Sequence, residues 1–146
     1  DVPFETFLAK LPECRRQCGD RAVLRAFHIY ADNDRVAKQV TALREGDFGT
    51  FLRLVNESGH SSWEYLQNVI PAGYKEHQEM GVTIAAAKHY LNGKGAVRVH
   101  GGGFAGTAQA FVPVEMLADF KKNMEAILGE GRCHVLSIRP EGGAVL

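Results

Sequence analysis

The sequence has no excess charge of either sign: 17 Lys and Arg are balanced by 17 Asp and Glu. A nucleic-acid partner is recognised by neutralising phosphates with surplus basic residues, so no such partner is expected. Long apolar runs are missing as well. None approaches the roughly 18 to 20 residues needed to cross a bilayer, so no membrane partner is expected either. The opening DVPFETFLAK has neither the basic segment nor the apolar core of a secretory signal. Cysteine is scarce, with only Cys14, Cys18 and Cys133. Cys14 and Cys18 would share one face of a helix. No second Cys or His pair stands at zinc-site spacing, so no metal is expected and the thiols read as reduced and cytosolic.

What is present reads as one domain over residues 1–146, long enough to bury roughly two-thirds of its unfolded surface. The chain starts without Met and enters an apolar-periodic segment at once, which reads as the middle of a longer protein. Helical spacing fills the first two-thirds. Phe4, Phe7, Leu8 and Leu11 share a face before Pro12. Asp20 is placed to cap a long helix through Val23, Phe27, Tyr30, Val36, Val40 and Leu43, stopped by Gly46. Asp47 restarts a helix with Phe48, Phe51, Leu52 and Val55, and Gly59 ends it. Ser61 and Glu64 have capping-box spacing for a short helix before Pro71. Met80, Ile84, Ala87 and Leu91 share the face of another, stopped at Asn92 and Gly93.

The period then shortens to two. Residues 96–100 and 107–112 read as strands, Pro113 introduces a helix through Leu117, Phe120, Met124 and Ile127, and residues 133–138 read as a last strand. The expected architecture is α+β: helices packed on one face of a small antiparallel sheet.

Between the first two strands lies GGGFAG, residues 101–106. Gly101, Gly103 and Gly106 satisfy G-x-G-x-x-G, but the dinucleotide fingerprint needs a helix next, and TAQAFV alternates and ends in proline. A protein-kinase glycine loop needs a lysine on the following strand, and QAFVP has none. Two readings remain open. One is a turn whose glycines supply positive φ. The other is a loop that another backbone or a ligand approaches closely, which side chains would prevent.

GAVRVHGGGFAGTAQAFVP, residues 95–113, resembles the third motif of the GHMP sugar kinases, and of the galactokinases among them. Three further segments resemble that family in the same order: LRAFHIYADNDRV (24–36), LREGDFGTFLRLVNESGHSS (43–62) and GEGRCHVLSIRPEGG (129–143). Departures are Ala105 and Thr107 in place of Gly and Cys, Gly59 where His is usual, and Asp32 where Glu is usual.

The resemblance implies the C-terminal domain of a two-domain kinase, with a ferredoxin-like antiparallel sheet and helices on one face. It implies transfer of the ATP γ-phosphoryl group to the anomeric hydroxyl of galactose, with ATP and Mg²⁺ bound in the complete enzyme, in the cytoplasm. The family's sugar motif, serine-rich phosphate cradle and catalytic Asp do not occur in this sequence. No catalytic residue is therefore expected in the chain, and its partner would be an N-terminal catalytic half. Gly101, Gly102, Gly103, Phe104, Ala105 and Gly106 would form one wall of the cleft, flanked by His100 and Ser58. An N-acetylgalactosamine kinase is the nearest rival, and a sugar- and ATP-sensing module without turnover is a rival of another class. His28 and Asp32, four apart, read as a structural helix contact, and Trp63 as core.

Overall fold

The computed structural model describes residues 2–104, 106–138 and 140–141. Two short helices open the chain, α1 (Phe4–Ala9) and α2 (Leu11–Cys18), broken at Lys10 with Pro12 in the first turn of the second. Proline is tolerated there because its missing amide has no intrahelical partner. The long helix α3 (Asp20–Glu45) follows. Its N-cap is Gly19, with φ 78°, so Asp20 does not cap it; the Asp20 carboxylate pairs with Arg15 at 2.6 Å instead. Gly46, left-handed with φ 72°, ends α3 as expected.

Asp47 caps α4 (Phe48–Ser61), accepting a hydrogen bond from the Thr50 amide at 2.9 Å. Gly59 does not end this helix, which runs directly into a π-helical turn over Ser62–Leu66. Gly59 serves packing: a Cβ there would stand 3.0 Å from Arg98 Cβ and 3.1 Å from the Val97 carbonyl. The capping box at Ser61 is likewise absent, since Ser61 lies inside the helix with its side chain buried.

Helix α5 (Glu79–Leu91), strands β1 (Ala96–Val99) and β2 (Ala108–Phe111), a 3₁₀ turn (Val114–Met116) and α6 (Leu117–Leu128) complete the order. β1 and β2 are antiparallel, with Ala96 opposite Phe111 and Val99 opposite Ala108. Strand parity sends Val97 and Val99 to one face, where they meet Met80, Ile84, Ala87 and Leu91 of α5 and Phe120 and Met124 of α6. Arg98 points to the opposite face, against α4, and Phe51 of α4 meets Phe111 edge-on at 5.3 Å. The α+β class holds, with two antiparallel strands among the described residues, but the helices do not keep to one face. α5 and α6 cover Val97 and Val99 while α4 packs against Arg98 on the other side, because the two-stranded sheet leaves both faces of β1 to be covered.

α4 also closes the outer edge of β1. Asn56 accepts from the Val97 amide and donates to the Gly95 carbonyl, both at 3.1 Å, and so satisfies an edge that would otherwise be unpaired. A separate aromatic cluster of Phe4, Phe7, Phe27 and Tyr30 fastens α1 to α3.

Residues 133–138 do not form the expected strand. A strand exists through its ladder partner, and among the described residues none pairs with this segment. Cys133 packs on the core, while Val135, Leu136 and Ile138 are exposed.

Candidate functional site

The glycine loop hangs from the paired ends of β1 and β2, closed by the His100 amide donating to the Thr107 carbonyl at 2.9 Å. Gly101, Gly103, Phe104 and Gly106 all have positive φ, so the chain reverses through left-handed residues. The turn reading thus accounts for three glycines. Gly103 has a second reason: a Cβ there would stand 2.2 Å from the carbonyl oxygen of Asn68. The close approach at this position comes from the domain's own backbone.

Gly102 is different. Its φ is not left-handed and a Cβ would meet nothing within 4 Å. No contact with a described residue requires glycine there. His100, Gly101, Gly102, Phe104 and Gly106 are exposed and Gly103 is half-buried. Ala105 lies outside the described residues. No described group accepts from the amides of Gly101, Gly102 or Gly103.

Ser58 does not flank an open surface. It is 1% exposed, and its Oγ donates to Asp32 Oδ1 at 2.6 Å while accepting from the Arg98 guanidinium. Arg35 donates to the same Asp32 oxygen at 2.9 Å, and Arg98 reaches Ser62 as well. This cluster joins α3, α4 and β1 at Arg98, three residues before the loop begins. Sequence reading missed Arg98 and Asn68. The alternation in AVRV and the one-sided spacing of Ser58, Ser61 and Ser62 were the signals for the first; nothing local marked the second.

Ser61, His28 and Asp32 have the outward form of a nucleophilic triad, with Ser61 Oγ 2.9 Å from His28 Nδ1 and His28 Nε2 3.7 Å from Asp32. Ser61 and His28 are buried, so no substrate carbonyl can reach the hydroxyl. The cluster is structural, as expected for His28 and Asp32.

Burial pushes His28 below the ordinary histidine range. Asp32 opposes this, but Arg98 and Arg35 add to it. At neutral pH the ring is uncharged and its contact with Asp32 is not an ion pair. Burial alone would raise Asp32, yet the hydrogen bonds from Ser58 and Arg35 outweigh it and hold the carboxyl below its usual range. Stability should respond accordingly. As pH falls below about 6.5, the unfolded chain takes up a proton that folded His28 refuses, so stability falls until the depressed His28 value is reached. The Asp32 contribution is complete above about pH 4 and is lost as pH falls through its lower folded value. Urea midpoints from pH 7.5 to 5 should decline in the native chain and decline less in His28→Gln; equal slopes would remove His28 from the account.

Trp63 lies across the start of α5, where a Cβ on Gly81 would be 3.3 Å from its ring, but it is 40% exposed and not the core residue expected. Among the described residues no three His, Cys, Asp or Glu side chains are grouped to hold a metal, and no helix is long and apolar enough to cross a membrane.

No protein-family model matches the chain. Curated proteins do, and they define first a class: the chain is similar to a sugar-kinase segment. More narrowly, the similarity is to galactokinases. The chain is 30% identical to the galactokinase of Mannheimia succiniciproducens over 122 residues, covering 84% of this chain and 30% of that protein. It is equally similar, over the same shares, to that of Glaesserella parasuis. With the galactokinase of Limosilactobacillus reuteri it shares 32% identity over 111 residues, covering 74% of this chain and 26% of that protein. The resemblance read from the motifs thus extends across most of the chain, which spans about 30% of the length of these relatives.

Proposed function

We propose that this chain is the C-terminal part of a galactokinase, an ATP-dependent cytoplasmic sugar kinase, and that its glycine loop forms one wall of the substrate cleft. Gly102 carries the reading of the loop: it is the loop glycine in the first triplet whose side chain no described neighbour forbids and no positive φ excludes. A surface that must be approached from outside supplies the missing reason. The partner in this reading is an N-terminal half, with galactose and ATP bound between the two. The sheet would belong to a ferredoxin-like domain.

Phosphoryl transfer rests on positioning and on stabilising charge spread over the phosphoryl oxygens. The unbonded amides of Gly101, Gly102 and Gly103 suit that task, since successive backbone amides hold an anion without adding net charge. They do not suit Mg²⁺, which takes oxygen ligands, and the described carboxylates are not grouped to supply them. The chain's part is to orient phosphate or sugar and to keep space clear for the attacking hydroxyl.

A few amide hydrogen bonds facing water, each worth about 0.5–1.5 kcal/mol net, fall near or below the roughly 4 kcal/mol of millimolar binding. Titration calorimetry of this chain with Mg-ATP and with galactose should therefore show binding no tighter than millimolar, and a coupled ADP-release assay should stay at the buffer blank. A longer chain containing this segment should release ADP in a galactose-dependent manner. Micromolar binding or turnover by the 146-residue chain would overturn the one-wall assignment; a folded longer chain that binds both substrates without turnover would make it a sensor.

A further inference from the structure

The glycine loop does not stand free; it rests on the segment that follows α4. The π-helical turn ends at Gln67, left-handed with φ 56°, and this reversal sends the next residue, Asn68, beneath the loop. Three contacts join them. The Phe104 amide donates to the Asn68 carbonyl at 2.9 Å, and Asn68 Nδ2 donates to the Gly102 carbonyl at 3.3 Å. Gly103 lies flat on Asn68, where a Cβ would come within 2.2 Å of its carbonyl and 2.8 Å of its Cβ.

Asn68 is 2% exposed, and its Oδ1 is buried without a hydrogen-bond partner among the described residues. Burying an unsatisfied amide oxygen is unfavourable, and the adjacent Val69 shows that this position borders an apolar core. Reversing the amide would set Oδ1 against the Gly102 carbonyl and lose the one hydrogen bond that the side chain makes to the loop. Packing and stability alone would select an apolar side chain here. What an apolar side chain cannot do is hold Gly102.

We propose that Asn68 is a positioning residue: it clamps the Gly102–Phe104 segment so that Gly102 and the unbonded amides of the first three glycines face outward. The catalytic relevance of this clamp rests on the cleft reading above; the clamp itself does not. Its signature is local. Losing the Nδ2 donor frees the loop, while the simultaneous loss of the unpaired Oδ1 spares the rest of the fold.

The test uses Asn68→Ala and the near-isosteric Asn68→Leu, which removes the donor and the unpaired oxygen together. In the 146-residue chain at pH 7, amide exchange at Phe104 and along 101–107 should accelerate about tenfold, with protection in α5 and β1 unchanged within about twofold. In the longer kinase, the same variants should raise KM for ATP or galactose more than they lower kcat, because a loosened wall weakens orientation in the ground state as well. Unchanged exchange in the loop would overturn the clamp. Equal loss of protection in loop and core, or failure of both variants to fold, would make Asn68 an ordinary fold residue and would also overturn it. A loosened loop with unaltered kinetics would leave the clamp standing and overturn its place in the cleft.

Discussion

Gly103→Val should cost this chain about 3 kcal/mol or more, while Gly102→Val, one residue away, should change stability by no more than about 0.5 kcal/mol. At Gly103 two penalties add. The residue has φ 74°, a conformation that costs a β-branched residue at least 1–2 kcal/mol. Its Cβ would also stand 2.2 Å from the Asn68 carbonyl, a backbone atom that cannot swing aside. The loop must lift away, which breaks the Phe104–Asn68 hydrogen bond, worth roughly 1 kcal/mol. For a chain of this size the melting temperature should fall by roughly 10 °C. At Gly102 neither penalty exists. If the cleft reading is right, the same Gly102→Val change should lower the activity of the longer kinase by about 100-fold or more, since a misplaced reacting group readily costs that much. Parallel calorimetry of both variants, with kinetics on Gly102→Val, separates the two roles. Equal destabilisation of the two would mean that the loop rests on Asn68 differently; an active Gly102→Val enzyme would make the loop only a turn.

From sequence, Gly102 and Gly103 were equivalent, because nothing local says which glycine will meet Asn68, 34 residues or more upstream. The same limit explains the other departures. Apolar spacing gave the buried face of α5 (Met80, Ile84, Ala87 and Leu91) because helix periodicity is a local property, and Asn92–Gly93 stopped α5 where the chain turns left-handed. On α3 it placed Val36, Val40 and Leu43 on the apolar face, and on α4 Phe48, yet all four are exposed, because no other described element covers them. Gly59 and Ser61 carried strong local signals for an end and a start, yet the helix continues through both. Gly59 is needed where α4 presses on Arg98, and the Ser61 hydroxyl is engaged by His28. Tertiary contacts outweigh propensities of a few tenths to about 1 kcal/mol. Residues 133–138 alternate like a strand, but alternation only makes a segment fit for a ladder; it does not supply the neighbour. At the site, the motif marked the loop, but the residues that set its geometry, Asn68 below and Arg98 behind, depend on contacts across 34 to 66 positions.

Asp32→Asn should destabilise the chain by roughly 2–3 kcal/mol, although Asn has the same shape and can still accept from Ser58. The carboxylate is the anion for two guanidiniums: Arg35 at 2.9 Å and Arg98 at 3.9 Å, with side chains 16% and 24% exposed. Removing one partner of a fully buried pair costs about 3–5 kcal/mol, because the cation left behind has lost both water and counter-charge. Here a fifth of the Asp32 side chain meets solvent, so screening reduces the figure. Asp34, two residues on, provides the control. It holds Lys38 at 2.5 Å, a shorter contact, but both side chains are about 60% exposed, and Asp34→Asn should cost no more than about 0.5 kcal/mol. Burial, and not distance, decides between them. The acid response should change too. Asp32 is what raises the proton affinity of His28, so without it the ring is depressed further and the decline in stability below about pH 6.5 should extend to lower pH. Because Arg98 lies three residues before Gly101, amide protection at the end of β1 should fall more than in α5. Urea midpoints for the two variants at pH 7.5 and 5.5, with amide exchange of Asp32→Asn, measure these effects. Equal, small effects of Asp32→Asn and Asp34→Asn would show that the α3–α4–β1 cluster is solvated charge and does not hold the strand from which the glycine loop hangs.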